Sequence, residues 1–135
     1  AGGVIFGGGQ SGCEAALELV YQGKHPTVVE YAVDLIATPM VPLPNASFLR
    51  EALVFHGVPI YLESTISEIK DGSVVIKGKD GTVTEVEADN VVNAIGFVPT
   101  PVAKSGRNVH LVGDCVSIGN LRTVIWRAWD VCMKI

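Results

Sequence analysis

Basic residues and long apolar runs are both scarce in this sequence. Its 135 residues include 10 Lys and Arg against 14 Asp and Glu, and the net charge is −4. The clustered Lys and Arg excess that nucleic-acid binding needs is therefore absent. No apolar run reaches the ~18 residues of a membrane span, and no basic segment leads into an apolar stretch at the N-terminus. We expect a cytoplasmic protein with neither nucleic acid nor membrane among its partners.

Cysteine and histidine are few, and neither is arranged for catalysis or metal binding. Cys13, Cys115 and Cys132 form no CxxC pair and have no zinc spacing, so we predict three buried thiols and no disulfide. The three histidines are scattered, and the sequence shows no serine triad pattern. We therefore predict no catalytic residue and no metal site. Any chemistry would rest on a cofactor that the protein orients.

Hydrophobic residues make up 48% of the sequence, a composition that excludes disorder and suits a domain with a proper core. Apolar spacing and turn residues predict strands alternating with helices. The predicted strands are 3–6, 26–30, 58–62, 65–69, 73–77, 82–86, 90–95 and 109–112, and the predicted helices are 13–22, 45–56 and 121–135. Asn45 and Asn120 are the predicted N-caps of the second and third helices.

In the middle of the sequence the spacing changes from helical to strict alternation. Asp71-Gly72 and Asp80-Gly81 stand at the two reversals between alternating segments, as hairpin turns do. We predict a three-stranded antiparallel meander there. The whole pattern predicts an α/β fold in three layers (β/β/α), with a parallel Rossmann-like sheet, helices on one face and the meander on the other.

A glycine-rich segment directly follows the first strand and opens the first helix. It consists of Gly7, Gly8, Gly9, Gln10, Ser11 and Gly12 and fits the GxGxxG pattern of dinucleotide-binding loops. Gly7 permits a tight turn, Gly9 lets a pyrophosphate approach the backbone, and Gly12 lets the helix pack close to the strand. The helix N-terminus would offer the phosphates its free N–H groups and positive dipole end. A glycine-rich turn without a ligand is the alternative.

Glu30 ends the second strand, where an acidic residue of a dinucleotide site binds the ribose hydroxyls. Tyr31 follows it and is assigned to the same site. A 2′-phosphate beside Glu30 would bring two anions together, and no Arg occurs before Arg50 to offset the repulsion. We therefore predict NADH rather than NADPH as the cofactor. An ordinary solvated carboxylate is the alternative for Glu30.

Three segments carry a family resemblance along the chain. They are residues 7–14 (GGGQSGCE), 91–99 (VVNAIGFVP) and 109–115 (VHLVGDC). In this order and spacing they resemble the two-dinucleotide flavoproteins of the pyridine nucleotide-disulfide oxidoreductase superfamily, with its FAD/NAD(P)-binding fold. Within that superfamily, the first and third segments look most like the C-terminal part of NADH:flavin oxidoreductases related to old yellow enzyme, of the 2-enoate reductase and 2,4-dienoyl-CoA reductase type.

The resemblance assigns further residues to cofactors. It implies that Glu14 lies near the nicotinamide end, with a carboxylate that simply favours the helix dipole as an equal alternative. It implies that Gly96 allows the cofactor close to its strand, with a plain turn glycine as the alternative. Gly113 and Asp114 match the late motif that binds FAD in such proteins.

Such flavoproteins carry two glycine-rich loops, whereas this chain has one. The resemblance therefore implies an NADH-binding domain over 1–99, followed over 100–135 by a linker and a remnant of the FAD-binding domain. FAD would belong to the parent protein and not be bound by this chain. The remainder of that flavoprotein is the expected partner, and the apolar helix 121–135 is expected to associate with a second copy when it is exposed.

The leading hypothesis is an NADH-binding module that delivers hydride to a flavin held by a missing domain, for reduction of an activated C=C bond in the parent enzyme. Alone, the chain is expected to be inactive. The alternative is a non-catalytic nucleotide-sensing or interaction module. A methyltransferase is disfavoured because Ile5 and Phe6 stand where such enzymes carry an acid. A short-chain dehydrogenase is disfavoured because Tyr21 and Lys24 lack the Tyr-x-x-x-Lys spacing.

Overall fold

The computed structural model describes residues 2–38 and 40–135. The chain forms two compact units, with the division between Gly96 and Phe97. The assignment of 1–99 to a cofactor domain and of 100–135 to a linker and remnant stays a prediction. Among the described residues, no helix combines the length and the apolar character that a membrane crossing needs.

A parallel sheet forms the middle layer of the first unit. Its strands lie in the order β3 (Ile60–Tyr61), β2 (His25–Val29), β1 (Gly2–Phe6) and β7 (Asn90–Asn93). All of these pairings are parallel. Because β1 lies between β2 and β7, the carboxyl ends of these three strands come together at one edge of the sheet, which is where ligands bind in open α/β sheets.

Two helices cover one face of the parallel sheet. α1 (Gln10–Tyr21) follows β1, and α2 (Leu43–Phe55) lies between β2 and β3 in the chain. Since successive side chains of a strand point to opposite faces, Ile5 of β1 and Val28 of β2 belong to the helical side. They share one buried cluster with the two helices, whose fully buried members include Cys13, Ala16 and Leu53.

An antiparallel meander covers the other face. It consists of β4 (Ser64–Lys70), β5 (Ser73–Gly78) and β6 (Val83–Glu87), with turns at Gly72 and Gly81 that both have positive φ. A second buried cluster lies between the two sheets and comprises Val4, Val29, Val74, Ile76 and Ala88. The predicted three-layer fold is therefore confirmed.

The start of α2 differs from the prediction. The sequence predicts Asn45 as the N-cap, but α2 begins at Leu43, with Pro42 in the cap position and no side-chain cap. Pro44 is compatible with this earlier start, because the N–H groups of a helix's first turn have no partner within the helix. The prediction for Asn45 is therefore wrong, and its side chain lies in the first turn.

The second unit departs from the prediction of a strand over 109–112. Among its described residues, an isolated antiparallel bridge joins Gly106 and Val109, and no named strand is present. A strand needs a neighbouring strand for its backbone hydrogen bonds, and this unit supplies none. The apolar segment alone is therefore not sufficient, and the predicted strand is wrong.

The main element of the second unit is α3 (Leu121–Cys132), which is shorter than the predicted 121–135. Asn120 caps it as predicted, in a reciprocal capping box with Thr123. Arg127 donates a hydrogen bond to the Ser117 carbonyl and so ties the helix to the turn before it. None of the residues of α3 is buried.

Leu53 offers a test of the helical core cluster. Its side chain is fully buried in α2, so Leu53→Ala is expected to lower the free energy of unfolding by about 2–5 kcal/mol, as large-to-small changes in packed cores do. The neighbouring Val54 is 68% exposed, and Val54→Ala is the control, with an expected change below about 0.5 kcal/mol. Urea unfolding followed by circular dichroism measures both variants. Equal losses would contradict the assigned core.

Candidate functional site

The turn between β1 and α1 contains two glycines that packing requires. Gly7 has a φ of 114°, and a Cβ there would lie only 2.6 Å from the carbonyl carbon of Ala94. A Cβ on Gly12 would overlap the carbonyl oxygen of Gly7 and lie 3.4 Å from Cγ2 of Ile5. The backbone of Gly7 lies close to Ala94, and the backbone of Gly12 lies close to Gly7 and Ile5. A side chain is therefore excluded at either glycine.

Gly9, in contrast, faces open space. A Cβ built on it meets no atom within 4 Å. Gly9 is the N-cap of α1, and its carbonyl oxygen accepts from the N–H of Cys13 at 2.9 Å. Within the described residues no side chain caps this helix end. The N–H groups of Gln10, Ser11 and Gly12 have no partner inside the helix, so this end suits an anion.

Glu30 follows β2 and is fixed against the glycine-rich turn. Its Oε2 accepts a hydrogen bond from the N–H of Gly8 at 2.5 Å, and its Oε1 accepts from the N–H of Ala32 at 2.6 Å. Each carboxylate oxygen has a further lone pair, so both can still accept from ligand hydroxyls. Two backbone groups therefore hold the side chain in one orientation, and the ribose-binding role of Glu30 stays a prediction.

Gly8 has a role of its own, which the sequence pattern did not distinguish from the roles of Gly7 and Gly9. A Cβ on Gly8 would lie 2.9 Å from Cβ of Glu30 and 2.5 Å from Cδ2 of Leu35. The absence of a side chain therefore lets Glu30 reach the backbone of the turn. The signal in the sequence was the middle one of three consecutive glycines, which stands at a position where the GxGxxG pattern allows any residue.

A cleft of about 300 Å³ opens at the carboxyl ends of β1, β2 and β7. It is lined by Phe6, Gly7, Glu30, Tyr31, Ala94 and Ile95. The structure thus brings three predicted site residues together, and it adds Phe6, Ala94 and Ile95, which sequence reasoning missed. Their signal was their place at the end of parallel strands, since those ends meet at the same edge of the sheet.

Other predicted residues of the first unit lie elsewhere. The carboxylate of Glu14 accepts from the amide of Gln10 at 2.8 Å and lines a separate cleft of about 370 Å³ between α1 and α2. The structure does not place Glu14 in the cleft that holds Glu30, and both alternatives for it stay open. Gly96 is exposed and has a φ of 101°, as a turn glycine requires.

Gly113 and Asp114 lie in the second unit, in a short 3₁₀ turn (Gly113–Cys115). Gly113 has a φ of 77°, and the carboxylate of Asp114 accepts from the N–H of Gly119 at 3.1 Å. These contacts stabilise the turn before α3. The role in FAD binding that the resemblance implies for the two residues stays a prediction.

Cys13 is fully buried, and its thiol donates to the Gly8 carbonyl oxygen at 3.3 Å. Burial, followed by the negative charge of Glu30, raises the pKa of the Cys13 thiol to about 12. The prediction of three buried thiols is wrong for the other two, because Cys115 is half-buried and Cys132 is exposed at the end of α3. In the described residues no group of three His, Cys, Asp or Glu side chains forms a metal site.

The three thiols are expected to differ in reactivity. A thiolate is the reacting form, so at pH 8 a disulfide reagent should label exposed Cys132 first, Cys115 more slowly, and Cys13 only after unfolding. Mass spectrometry of the native and the urea-unfolded protein distinguishes the sites. A Cys132→Ser variant is the control and should lose the fast phase alone. Labelling of Cys13 in the native protein as fast as Cys132 would contradict its high pKa and its burial.

Comparison with known proteins shows what the chain is similar to. The family model described as pyridine nucleotide-disulphide oxidoreductase matches residues 3–123. Cinnamate reductase of Clostridium sporogenes is 32% identical and NADH oxidase of Thermoanaerobacter brockii 28% identical, each over 98% of this chain. A solved complex of 2-naphthoyl-CoA reductase with 2-naphthoyl-CoA is 27% identical, covers 99% of this chain and has a TM-score of 0.81. The chain spans 21% of each of these three proteins.

Proposed function

Because this chain belongs to the pyridine nucleotide-disulphide oxidoreductase family, we propose that it is the NADH-binding module of a flavin-dependent oxidoreductase. The observation that carries the proposal is the carboxylate of Glu30, which the N–H of Gly8 holds at 2.5 Å beside the glycine-rich turn. This contact joins a hydroxyl-binding group to a phosphate-binding helix end. A dinucleotide presents both of these chemical features, ribose hydroxyls and a pyrophosphate, within one molecule.

Different residues of the first unit would bind different parts of the cofactor. The open N-terminus of α1 at Gly9 would take the pyrophosphate, since a helix end offers free N–H groups and a favourable dipole. Glu30 would accept from the adenosine ribose. Phe6 and Ile95 would line the cleft beside it. When bound, NADH supplies a hydride for a flavin held by another part of the parent enzyme.

NADH is favoured over NADPH by the charges around the ribose position. Glu30 repels a 2′-phosphate, and the first Arg that follows it in the sequence is Arg50. The guanidinium of Arg50 lies 3.1 Å from the carboxylate of Asp34 and donates to the Leu35 carbonyl oxygen at 2.6 Å. Its charge is therefore paired with that of Asp34, and its Nε and Nη2 nitrogens already donate to backbone carbonyls. Tighter binding of NADPH than of NADH would contradict this assignment.

The parent reaction is proposed from the relatives. Two relatives are named cinnamate reductase and 2-naphthoyl-CoA reductase, and each matches nearly the whole of this chain. We infer that the parent enzyme reduces an activated C=C bond. The flavin and the substrate would be held by the rest of that protein, because this chain spans 21% of either relative.

A titration of the chain with NADH, NADPH and FAD tests the proposed function. We expect NADH to bind more tightly than NADPH, FAD not to bind, and no NADH oxidation without added flavin. Calorimetry measures the binding, and absorbance at 340 nm measures oxidation. Absence of NADH binding, or steady oxidation by the chain alone, would refute the proposal. A change of oligomeric state on NADH binding would favour the nucleotide-sensing module instead.

The outer face of α3 supports a proposal about partners. Ile125, Trp126 and Trp129 are each more than half exposed, so the helix presents apolar surface. We propose that this surface contacts the remainder of the parent flavoprotein, and a second copy when the chain is alone. Sedimentation velocity over a concentration series is expected to show association that Trp126→Glu and Trp129→Glu abolish. A monomer at all concentrations would refute pairing through α3.

A further inference from the structure

The segment after β2, residues 31–38, contains no helix or strand and is here named the ribose loop. Arg50, which lies on α2, binds the ribose loop through its guanidinium group. The Nε and Nη2 of Arg50 donate to the Leu35 carbonyl oxygen at 2.8 and 2.6 Å, and Nη2 also donates to the Ile36 carbonyl oxygen at 3.3 Å. The same Nη2 lies 3.1 Å from the carboxylate of Asp34. One side chain therefore binds three consecutive residues of the ribose loop.

Ile36 adopts a backbone conformation that needs such support. Its φ is 49°, in the left-handed region, which a β-branched residue rarely enters. A strained residue of this kind persists only where its surroundings over-determine it, and such residues cluster at functional sites. Arg50 holds the carbonyl side of Ile36. On the other side, the N–H of Ile36 donates to the Gly8 carbonyl oxygen at 2.8 Å.

The peptide groups of Gly8 connect the ribose loop with the glycine-rich turn. The carbonyl oxygen of Gly8 accepts from the N–H of Ile36, and its own N–H donates to Glu30 at 2.5 Å. The side chain of Leu35 lies so close to Gly8 that a Cβ there would come within 2.5 Å of it. The place of the Glu30 carboxylate relative to the turn therefore depends on where Leu35 and Ile36 are held.

We propose that Arg50 is a positioning residue for the cofactor site, which acts through Leu35 and Ile36 on Gly8 and Glu30. The inference rests on the proposed function, because it assigns to Arg50 an effect on NADH binding. Arg50 does not need to touch the cofactor, since its donors are directed at the ribose loop. Its ion pair with Asp34 is a minor contribution, because the two side chains are 31% and 53% exposed.

The planar shape of the guanidinium is what allows Arg50 to position the ribose loop. Two nitrogens of one rigid plane share the Leu35 carbonyl oxygen, and one of them reaches the next carbonyl as well. The single ammonium of a lysine keeps the charge but cannot reproduce this planar fork. Arg50→Lys therefore separates positioning by the fork from a general electrostatic effect on the cofactor.

The test compares Arg50→Lys with Asp34→Asn as its matched control. Asp34→Asn removes the ion pair but leaves the donors of Arg50 on both carbonyls, and an asparagine oxygen can still accept from the N–H of Leu35 as Asp34 does at 2.8 Å. We expect Arg50→Lys to weaken NADH binding by roughly fivefold to tenfold, within the usual range of coupling energies. Asp34→Asn is expected to change it by less than about twofold.

A double-mutant cycle shows whether Arg50 acts through Glu30. If it does, Arg50→Lys added to Glu30→Gln should cost little further affinity, because the carboxylate it positions is already gone. A merely structural residue would give losses that multiply. Equal NADH affinity of Arg50→Lys and wild type, or multiplying losses in the double variant, would overturn the proposal.

Hydrogen exchange of the Gly8 and Ile36 amides gives a readout that needs no ligand. Arg50→Lys should speed exchange at both amides and leave the amides of β5 unchanged. If wild type fails to bind NADH, the proposed function falls, and the exchange rates still decide whether Arg50 braces the turn. If neither Arg50→Lys nor Arg50→Gln folds, Arg50 is a general stability residue and the positioning role is refuted.

Discussion

Gly12→Ala is expected to lower the free energy of unfolding by about 3 kcal/mol or to prevent folding of the first unit, as severe overpacking does. The added methyl group would overlap the carbonyl oxygen of Gly7 and approach its carbonyl carbon to 3.0 Å. Gly7 cannot easily retreat, because its N–H donates to the Val29 carbonyl oxygen at 2.8 Å. The substitution therefore forces α1 away from the sheet. Urea unfolding measures the loss.

Gly9→Ala is the matched control, because it adds the same methyl group to the same turn. Its φ of −69° suits alanine, and no atom lies within 4 Å of the new Cβ. The stability is expected to change by less than about 1 kcal/mol, the scale of an N-cap substitution. NADH binding should still fall about tenfold or more, because the methyl group occupies the approach to the helix N-terminus. Unfolding of both variants alike would contradict the packing argument, and unchanged NADH affinity in Gly9→Ala would contradict the phosphate position.

Glu30→Gln is expected to lower NADH affinity by about tenfold or more and to shift the preference toward NADPH by a similar factor. The amide nitrogen cannot accept a hydrogen bond, so the N–H of Gly8 or of Ala32 loses its acceptor. A ribose hydroxyl loses a charged partner in the same step. The repulsion of a 2′-phosphate disappears together with the negative charge. Calorimetric titrations with both nucleotides measure the ratio of affinities.

Glu18→Gln controls for the change of net charge. Glu18 lies on α1, where its carboxylate accepts from Gln22 at 3.0 Å, and it does not line the cleft of Glu30. We expect its ratio of NADH to NADPH affinity to equal that of wild type within about twofold. An unchanged ratio in Glu30→Gln, or an equal shift in both variants, would show that Glu30 does not set the cofactor preference.

The layers of the first unit could be predicted because their signals are local. The change from helical spacing to alternation marks the meander, and the turns at Gly72 and Gly81 have the positive φ that Asp-Gly pairs indicate. The glycine-rich turn follows its strand directly, so its place in the fold needs no information from distant parts of the chain.

The errors and omissions depend on contacts between distant residues. The prediction of a strand over 109–112 is wrong because the sequence of that segment cannot show that a partner strand is missing. Ala94 and Ile95 line the cleft because β7 pairs with β1, and the sequence alone does not reveal that pairing. Arg50 is connected to Glu30 only through the fold of the ribose loop and the Gly8 peptide groups, and no motif connects α2 to the end of β2. Pairing partners and side chains from distant elements are therefore what the sequence leaves undetermined.

The strand order of the parallel sheet also determines when its cleft can form during synthesis. β1 and β2 are joined by α1 alone, whereas β7 pairs with β1 only after β3 and the whole meander have been made. Pairing of β7 with β1 closes a much longer segment of chain than pairing of β2 with β1. Long-range pairings form late because closing a longer loop costs more conformational entropy. A nascent chain can therefore pair β1 with β2, and so bring Glu30 to the glycine-rich turn, before the wall formed by Ala94 and Ile95 exists.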